Sequence, residues 1–332
     1  MNPSSELILG VDIGGTKVAV GLVDHHGKIV TQMRRPMIAN GTAEEGLQAV
    51  ISAIDALAGS PGRPRPGEAS TESAGGFHSI GICAPGPLDP KTGVVLNPPN
   101  VPCWRNFPLA ARIAEKFRQT VKVDNDANAA ALAETMWGAA RGYHYVFYAT
   151  LGTGIGTGVV LDGRIYHGKT GSAAEGGHVS IDYHGPVCGC GKRGCIEILA
   201  AGPAIGARAR AKAAAEPGRA ANLLALAGNA QSVTSEHVGR AFSGGDPLAG
   251  EILAETAHLL TIWLGNIVDL LDPDVIVMGG GVAAMMQPFF DDIKRDLPAW
   301  CVNPRAGEIP LLLAHYGADA GIAGGAALCA TQ

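Results

Sequence analysis

The amino-acid sequence predicts a two-lobed α/β protein. A strand, a glycine-rich turn and a second strand open the chain over residues 7–23, and the same unit recurs over 145–161. That repetition implies a duplicated α/β design with a cleft between halves. At 332 residues the chain is also long for one core, where roughly 150 residues per domain is usual. Most of its 47 glycines fall in clusters, which marks turns and close backbone approach to a ligand.

In chain order, residues 7–12 and 17–23 read as strands about the first glycine turn. His25-His26-Gly27 then turns the chain into a strand at 28–33. Apolar residues take helical spacing at 43–57. Segment 60–76, SPGRPRPGEASTESAGG, is expected to be a flexible surface insertion without chemistry. A buried strand at 79–83 and a helix at 109–117 precede an Ala-rich helix at 127–137, begun by Asp124-Asn125-Asp126. Strands follow at 145–151, 156–161 and 164–166, the last two joined by a turn at Leu161-Asp162-Gly163. Residues 197 to 271 are expected to be largely helical. An apolar strand at 275–278 runs into Gly279-Gly280-Gly281, and a small-residue helix spans 319–330.

Hydrophobic residues make up 47% and charged residues 17%, the balance of a well-buried globular protein. Net charge is −5 with no basic stretch, which argues against nucleic-acid or membrane partners. No apolar run reaches the roughly 18 residues of a membrane span, and residues 1–9 lack a signal-peptide pattern. Seven cysteines, an odd count, are better read as thiols plus a metal site than as disulfides, which points to the cytoplasm.

Three glycine turns are candidate ligand loops. Asp12-Ile13-Gly14-Gly15-Thr16-Lys17 lets backbone N–H groups approach phosphate oxygens, with Asp12 placed to hold Mg²⁺ through water and Thr16 or Lys17 to meet phosphate. A tight hairpin with an incidental acid gives the same pattern. The turn at 151–158, LGTGIGTG, contains GxGxxG but opens a strand rather than the helix a dinucleotide site needs, so a nicotinamide cofactor is not expected. No GxxxxGK[ST] run occurs. Gly279-Gly280-Gly281 is either a plain strand-to-helix turn or a place where backbone lies flat against a purine.

Cys188, Cys190 and Cys195 set three soft ligands in one glycine-relaxed loop. His178, ten residues upstream, is the favoured fourth ligand of a closed Cys₃His zinc site of structural type, with His184 as the competitor.

Further segments complete a pattern. Ala84-Pro85-Gly86-Pro87-Leu88-Asp89, Asn97-Pro98-Pro99-Asn100 with Trp104, Val123-Asp124-Asn125-Asp126-Ala127-Asn128, and Glu175-Gly176-Gly177-His178 with the cysteines and Glu197 stand in that order. With the first glycine turn they resemble the signature of the ROK sugar-kinase family, over nearly the whole chain. The resemblance implies the actin/hexokinase-like (ribonuclease H-like) ATPase fold. Its expected lobes are residues 1–124, with helix 319–330 packing back on them, and residues 125–318, carrying the zinc loop and the helical segment.

The resemblance also implies roles. Asp126 is the expected general base for phosphoryl transfer from ATP to a sugar 6-hydroxyl, although on spacing alone it reads as a helix N-cap. Asn100, Asn125, Asp126, Glu175, His178 and Glu197 are expected at the sugar. Asp12, Gly14, Gly15, Thr16, Lys17, Thr153, Gly154, Gly280 and Gly281 are expected at ATP and Mg²⁺. His178 serves twice, one ring nitrogen on zinc and the other toward a hydroxyl, so that zinc organises the loop. The implied assembly is a cytoplasmic homodimer.

One departure stands out. The family's bulky apolar residue after the glutamate is Gly176 here, and the residue before it is Ala174 instead of Gly. Glucose is the expected substrate, with N-acetylmannosamine, N-acetylglucosamine and fructose as alternatives, and a non-catalytic sugar-sensing module as the rival class. A repressor is not expected, since eleven residues before Asp12 leave no room for a DNA-binding domain.

Overall fold

A computed structural model of the protein describes residues 7–59 and 76–330. The expected insertion at 60–76 thus lies outside the described residues except for Gly76. The chain divides into two compact units. The first comprises residues 1–144, 158–174 and 315–332, and the second 145–157 and 175–314.

The first unit opens with β1 (Leu7–Ile13), β2 (Lys17–Val23), β3 (Ile29–Pro36) and α1 (Ala43–Ala58). There follow β4 (Phe77–Ala84), the short β5 (Leu88–Asp89) and β6 (Val94–Val95), α2 (Leu109–Phe117), β7 (Thr120–Asn125) and α3 (Asp126–Met136). The main sheet has the order β3-β2-β1-β4-β7, with β1–β3 antiparallel and β1, β4 and β7 parallel. Strand alternation sorts β1 between two faces. Leu9, Val11 and Ile13 share a core with Leu47, Ile54, Trp104 and Ile113 of α1, α2 and their flanks. Ile8 packs on the other face with Ala19, Val23, Ile322 and Ala326. Thr42 and Glu45 form a reciprocal capping box that starts α1.

The chain enters the second unit at β8 (Tyr145–Leu151). It continues through β9 (Ile155–Leu161), whose far half and β10 (Arg164–Ile165) are counted with the first unit. Next come α4 (Ile196–Ala200), α5 (Gly202–Ala215), α6 (Ala221–Ala227), α7 (Ser235–Ser243) and α8 (Pro247–Leu271). They are followed by β11 (Val275–Gly279), α9 (Gly280–Met286), α10 (Phe290–Asp296) and β12 (Leu311–Leu313). This sheet runs β10-β9-β8-β11-β12, with β8, β11 and β12 parallel. Parallel strands covered on both faces read as unbroken apolar runs, and all five residues of β11 are buried. Asp246 caps α8 by accepting from the Ala249 N–H at 2.8 Å, with Pro247 in the first helical position.

The last helix, α11 (Ala320–Ala330), returns to the first unit and packs on β1, β4 and α3. The contact depends on a row of glycines: Gly21, Gly10 and Gly81 are in register across β2, β1 and β4. A Cβ at Gly10 would fall on the Ile322 carbonyl, and one at Gly81 on the Gly325 carbonyl. Helix backbone therefore lies directly on strand backbone. Among the described residues no helix is long and apolar enough to cross a membrane.

Candidate active site

The residues singled out in the sequence collect at two places, one in each unit. In the first, the β1–β2 turn closes by a Gly14 N–H to Lys17 carbonyl bond of 2.9 Å. A Cβ at Gly15 would come within 2.7 Å of the Asn100 carbonyl, so glycine is what lets this turn meet the 97–100 segment. Asp12, Cys83 and Asp124 are in register across β1, β4 and β7, two residues beyond the glycine row on β1 and β4. Gly321, in the first turn of α11, is the residue under which Asp12 fits, since a Cβ there would collide with the carboxyl group.

These groups feel one another. The Asp12 carboxyl is pushed up to about 6, chiefly by burial, then by the Asp126 charge, with Lys17 and Arg34 opposing. Burial raises the Cys83 thiol well above its ordinary value, and the charges of Asp12, Asp126 and Asp124 add to that. Its Sγ donates to the Gly321 carbonyl at 3.0 Å.

The helix start at α3 separates two roles that the sequence left open. Asn125 is the cap: its side chain accepts from the Ala127 N–H at 2.9 Å and the Asn128 N–H at 3.4 Å. Asp126 follows as the first helical residue, exposed, with one carboxylate oxygen 2.8 Å from the Ala127 N–H. Asp124 is buried and holds the junction, accepting from the Asn125 N–H at 2.7 Å and the Asn128 side chain at 3.2 Å.

In the second unit one ligand atom each from His178, Cys188, Cys190 and Cys195 lies within 4.8 Å of the others. Cys190 and Cys195 sulfurs are 3.6 Å apart, and His178 Nδ1 is 3.8 Å from the Cys188 sulfur. Zinc–sulfur bonds of about 2.3 Å make tetrahedral edges of about 3.8 Å, so the donors fit a tetrahedral ion. Burial and the neighbouring cysteines push the Cys195 thiol up to about 12, so a cation's charge is what would favour its thiolate. His184 stands outside this group, its ring against Tyr183 at 4.0 Å.

Glu197, at the start of α4, reaches both ways. Its Oε1 is 3.9 Å from His178 Nδ1, while Oε2 accepts from the Ile155 N–H at 2.9 Å. Gly154 is needed beside it, because a Cβ there would lie 2.6 Å from Oε2. The segment after Glu175 is clamped. The Gly176 N–H donates to Thr157 Oγ1 at 2.7 Å, and the Gly176 carbonyl accepts from Trp263 Nε1 at 2.9 Å, both within the core. Ala174, just before, holds a left-handed φ of 63°, the conformation in which glycine is at ease.

The second and third glycine turns line a cavity of about 440 Å³ together with Pro203, Arg210, Ser235 and Met285. Thr153 and Gly281 are on its wall. Gly280 is required by the backbone instead: its φ is +87°, and a Cβ would collide with the Leu151 carbonyl. The cavity walls from α5 and α7, the Thr157–Trp263 clamp and the side chain of Asp124 escaped the sequence reading. Gly202-Pro203 opening a helix was the one local signal for the cavity.

Comparison with known proteins fits this geometry. A model of the ROK family matches residues 8–332. The glucokinase of Thermotoga maritima is 31% identical, covering 97% of this chain and 96% of its own. The N-acetylmannosamine kinase of Escherichia fergusonii is 31% identical, covering 96% and 97%. A ROK family glucokinase of Streptomyces griseus, solved with glucose and AMPPNP, superposes with a TM-score of 0.80 at 35% identity, covering 97% and 98%. The chain belongs to the ROK family. Its fold is the actin/hexokinase-like fold, and the relatives named above are sugar kinases of that family.

Proposed function

We propose that this ROK-family hexose kinase transfers the γ-phosphoryl group of ATP to the 6-hydroxyl of glucose, with Asp126 as general base. The observation that carries the reading is the division of labour at α3: Asn125 caps the helix, and Asp126 presents an exposed carboxylate at its first position. In-line phosphoryl transfer needs a group to take the hydroxyl proton, and positioning and charge compensation supply most of the rest.

Asn100, Asn125, Glu175, His178 and Glu197 hold the sugar hydroxyls. A carboxylate offers about four acceptor positions, so Glu197 can keep its Ile155 N–H bond and still receive a hydroxyl. The cavity at Thr153 and Gly281 takes the nucleotide, and Gly14, Gly15, Thr16 and Lys17 meet its outer phosphates. Mg²⁺, held through water by Asp12, neutralises phosphate charge when bound. Zinc on His178, Cys188, Cys190 and Cys195 leaves His178 Nε2 for the sugar and stiffens the loop between His178 and Glu197. The family resemblance supports a cytoplasmic homodimer.

Glucose is favoured by the relatives named glucokinase and by the glucose complex of the Streptomyces griseus enzyme. An N-acetylmannosamine kinase is the second reading, on the equal identity of a relative so named. The deciding experiment is ADP release with Mg-ATP across glucose, mannose, fructose, N-acetylglucosamine and N-acetylmannosamine. Preference for glucose supports the first reading, and preference for an N-acetyl sugar replaces it with the second. Sugar binding without turnover on any of the five would leave a sensor rather than a kinase.

A further inference from the structure

Asp124 has a partner that none of the motifs contains. His167 Nε2 lies 2.6 Å from Asp124 Oδ2, and the contact joins the segment after β10 to the end of β7. We propose that His167 is a positioning residue for phosphoryl transfer: by holding Asp124 it fixes the junction that presents Asn125 and Asp126 to the substrate. The inference rests on the reading of Asp126 as the base.

The geometry makes Asp124 a three-point anchor. Oδ1 takes the Asn125 N–H at 2.7 Å and the Asn128 side chain at 3.2 Å, and Oδ2 takes His167. Only 6% of the Asp124 side chain is exposed, and the carboxylates of Asp12 and Asp126 act on the same neighbouring thiol. Without His167 one oxygen of a buried carboxylate loses its donor in an already negative surrounding. Such a group rotates toward another donor, and that weakens its grip on the Asn125 N–H. Asn125 is the cap of α3 and Asp126 the next residue, so the disturbance reaches the base directly.

The charges about His167 agree. Its hydrogen bond to Asp124 raises the imidazole above its ordinary value, against burial and the Lys91 charge. Lys122 and Arg164 are the other charged residues on the adjoining cavity, with Pro90, Ile165 and Leu328. The charge-assisted form of the pair therefore persists to higher pH than an ordinary imidazole would allow, and is lost as pH rises through the raised value of His167. That cavity, about 300 Å³, is wide enough to admit free imidazole beside Asp124.

The test compares kcat and sugar KM for the full-length wild type, His167→Ala, His167→Gln and Asp126→Asn. Each is assayed between about pH 6 and 9, with imidazole at concentrations that leave the wild type unchanged. His167→Ala is expected to lose up to about 10²-fold in kcat with sugar KM within a few-fold, the scale of a mispositioned reacting group. Imidazole is expected to restore kcat, His167→Gln to lose less, and the wild-type advantage to narrow at alkaline pH. Wild-type kcat in His167→Ala beside an inactive Asp126→Asn overturns the positioning role and leaves the base assignment standing. Equal losses in kcat, KM and thermal stability, untouched by imidazole, reduce His167 to scaffolding and also overturn it. An active Asp126→Asn overturns the base assignment and the positioning role with it. If His167→Ala does not fold, the kcat-against-KM split in His167→Gln and His167→Asn decides between the same outcomes.

Discussion

At residue scale, the proposed chemistry turns on which carboxylate does what in Asp124-Asn125-Asp126. Sequence order marks the segment, but spacing alone reads Asp126 as the cap. What frees it from that duty is that Asn125 takes the Ala127 and Asn128 N–H groups, a matter of side-chain direction that no spacing rule contains. Asp126→Asn is accordingly expected to keep the fold and bind sugar, seen by calorimetry, while losing about 10²-fold or more in kcat. Asp12 yields a pH dependence. Its carboxyl moves from 3.8 to about 6 on folding, so the folded, ligand-free chain binds that proton more tightly than the unfolded one. Stability contributed by this group therefore falls as pH rises from about 4 to 6 and is fully lost above that. Asp12→Asn should raise unfolding stability by about 2 kcal/mol at neutral pH, after allowance for the partial exposure of the group, and leave it unchanged near pH 4. Denaturant titrations at the two pH values measure the difference.

At the scale of elements, the second glycine turn and the cysteine loop are coupled through Glu197 and through the segment that Thr157 and Trp263 hold. The three cysteines were plain in the sequence because metal-ligand spacing is local. The clamp was not, because Trp263 lies 87 residues beyond Gly176 and only packing joins them. It also explains the departure at position 176: a Cβ there would approach Thr157 Oγ1 to 2.8 Å, so Thr157 occupies the space a bulky side chain would need. Gly176→Leu should displace Glu175 and raise sugar KM by about tenfold or more, while kcat extrapolated to saturation changes less. Steady-state kinetics against sugar concentration measure the split. Cys190→Ser should lower bound zinc, read by elemental analysis, and sugar affinity together. Full zinc content in that variant would remove Cys190 from the ligand set.

For the whole molecule, strand–turn–strand repetition announced the α/β design because glycine clusters and apolar runs are local signals. The long β8 and β9 strands and the helical stretch over α4–α8 lie where the sequence placed them. Two features were hidden. β7 carries Thr120, Lys122 and Asp124 among its six residues and is too polar to read as a strand; its pairing with β4 creates it. The small-residue run at the end was legible as a helix, yet only the register of Gly10, Gly21 and Gly81 shows why its residues are small. A chain ending at residue 314 should leave that sheet face bare. Limited proteolysis is expected to degrade its first unit, with no sugar phosphorylation.

The docking of α11 also orders events in time. Asp12 is synthesised 309 residues before Gly321, which roofs its carboxyl group. Synthesis proceeds at roughly 5–20 residues per second, so the first glycine turn waits some tens of seconds for its cover. Throughout that interval the Asp12 carboxyl group lacks the backbone that covers it. A message cut short upstream of α11 is then expected to yield a product whose bare sheet face exposes it to proteases.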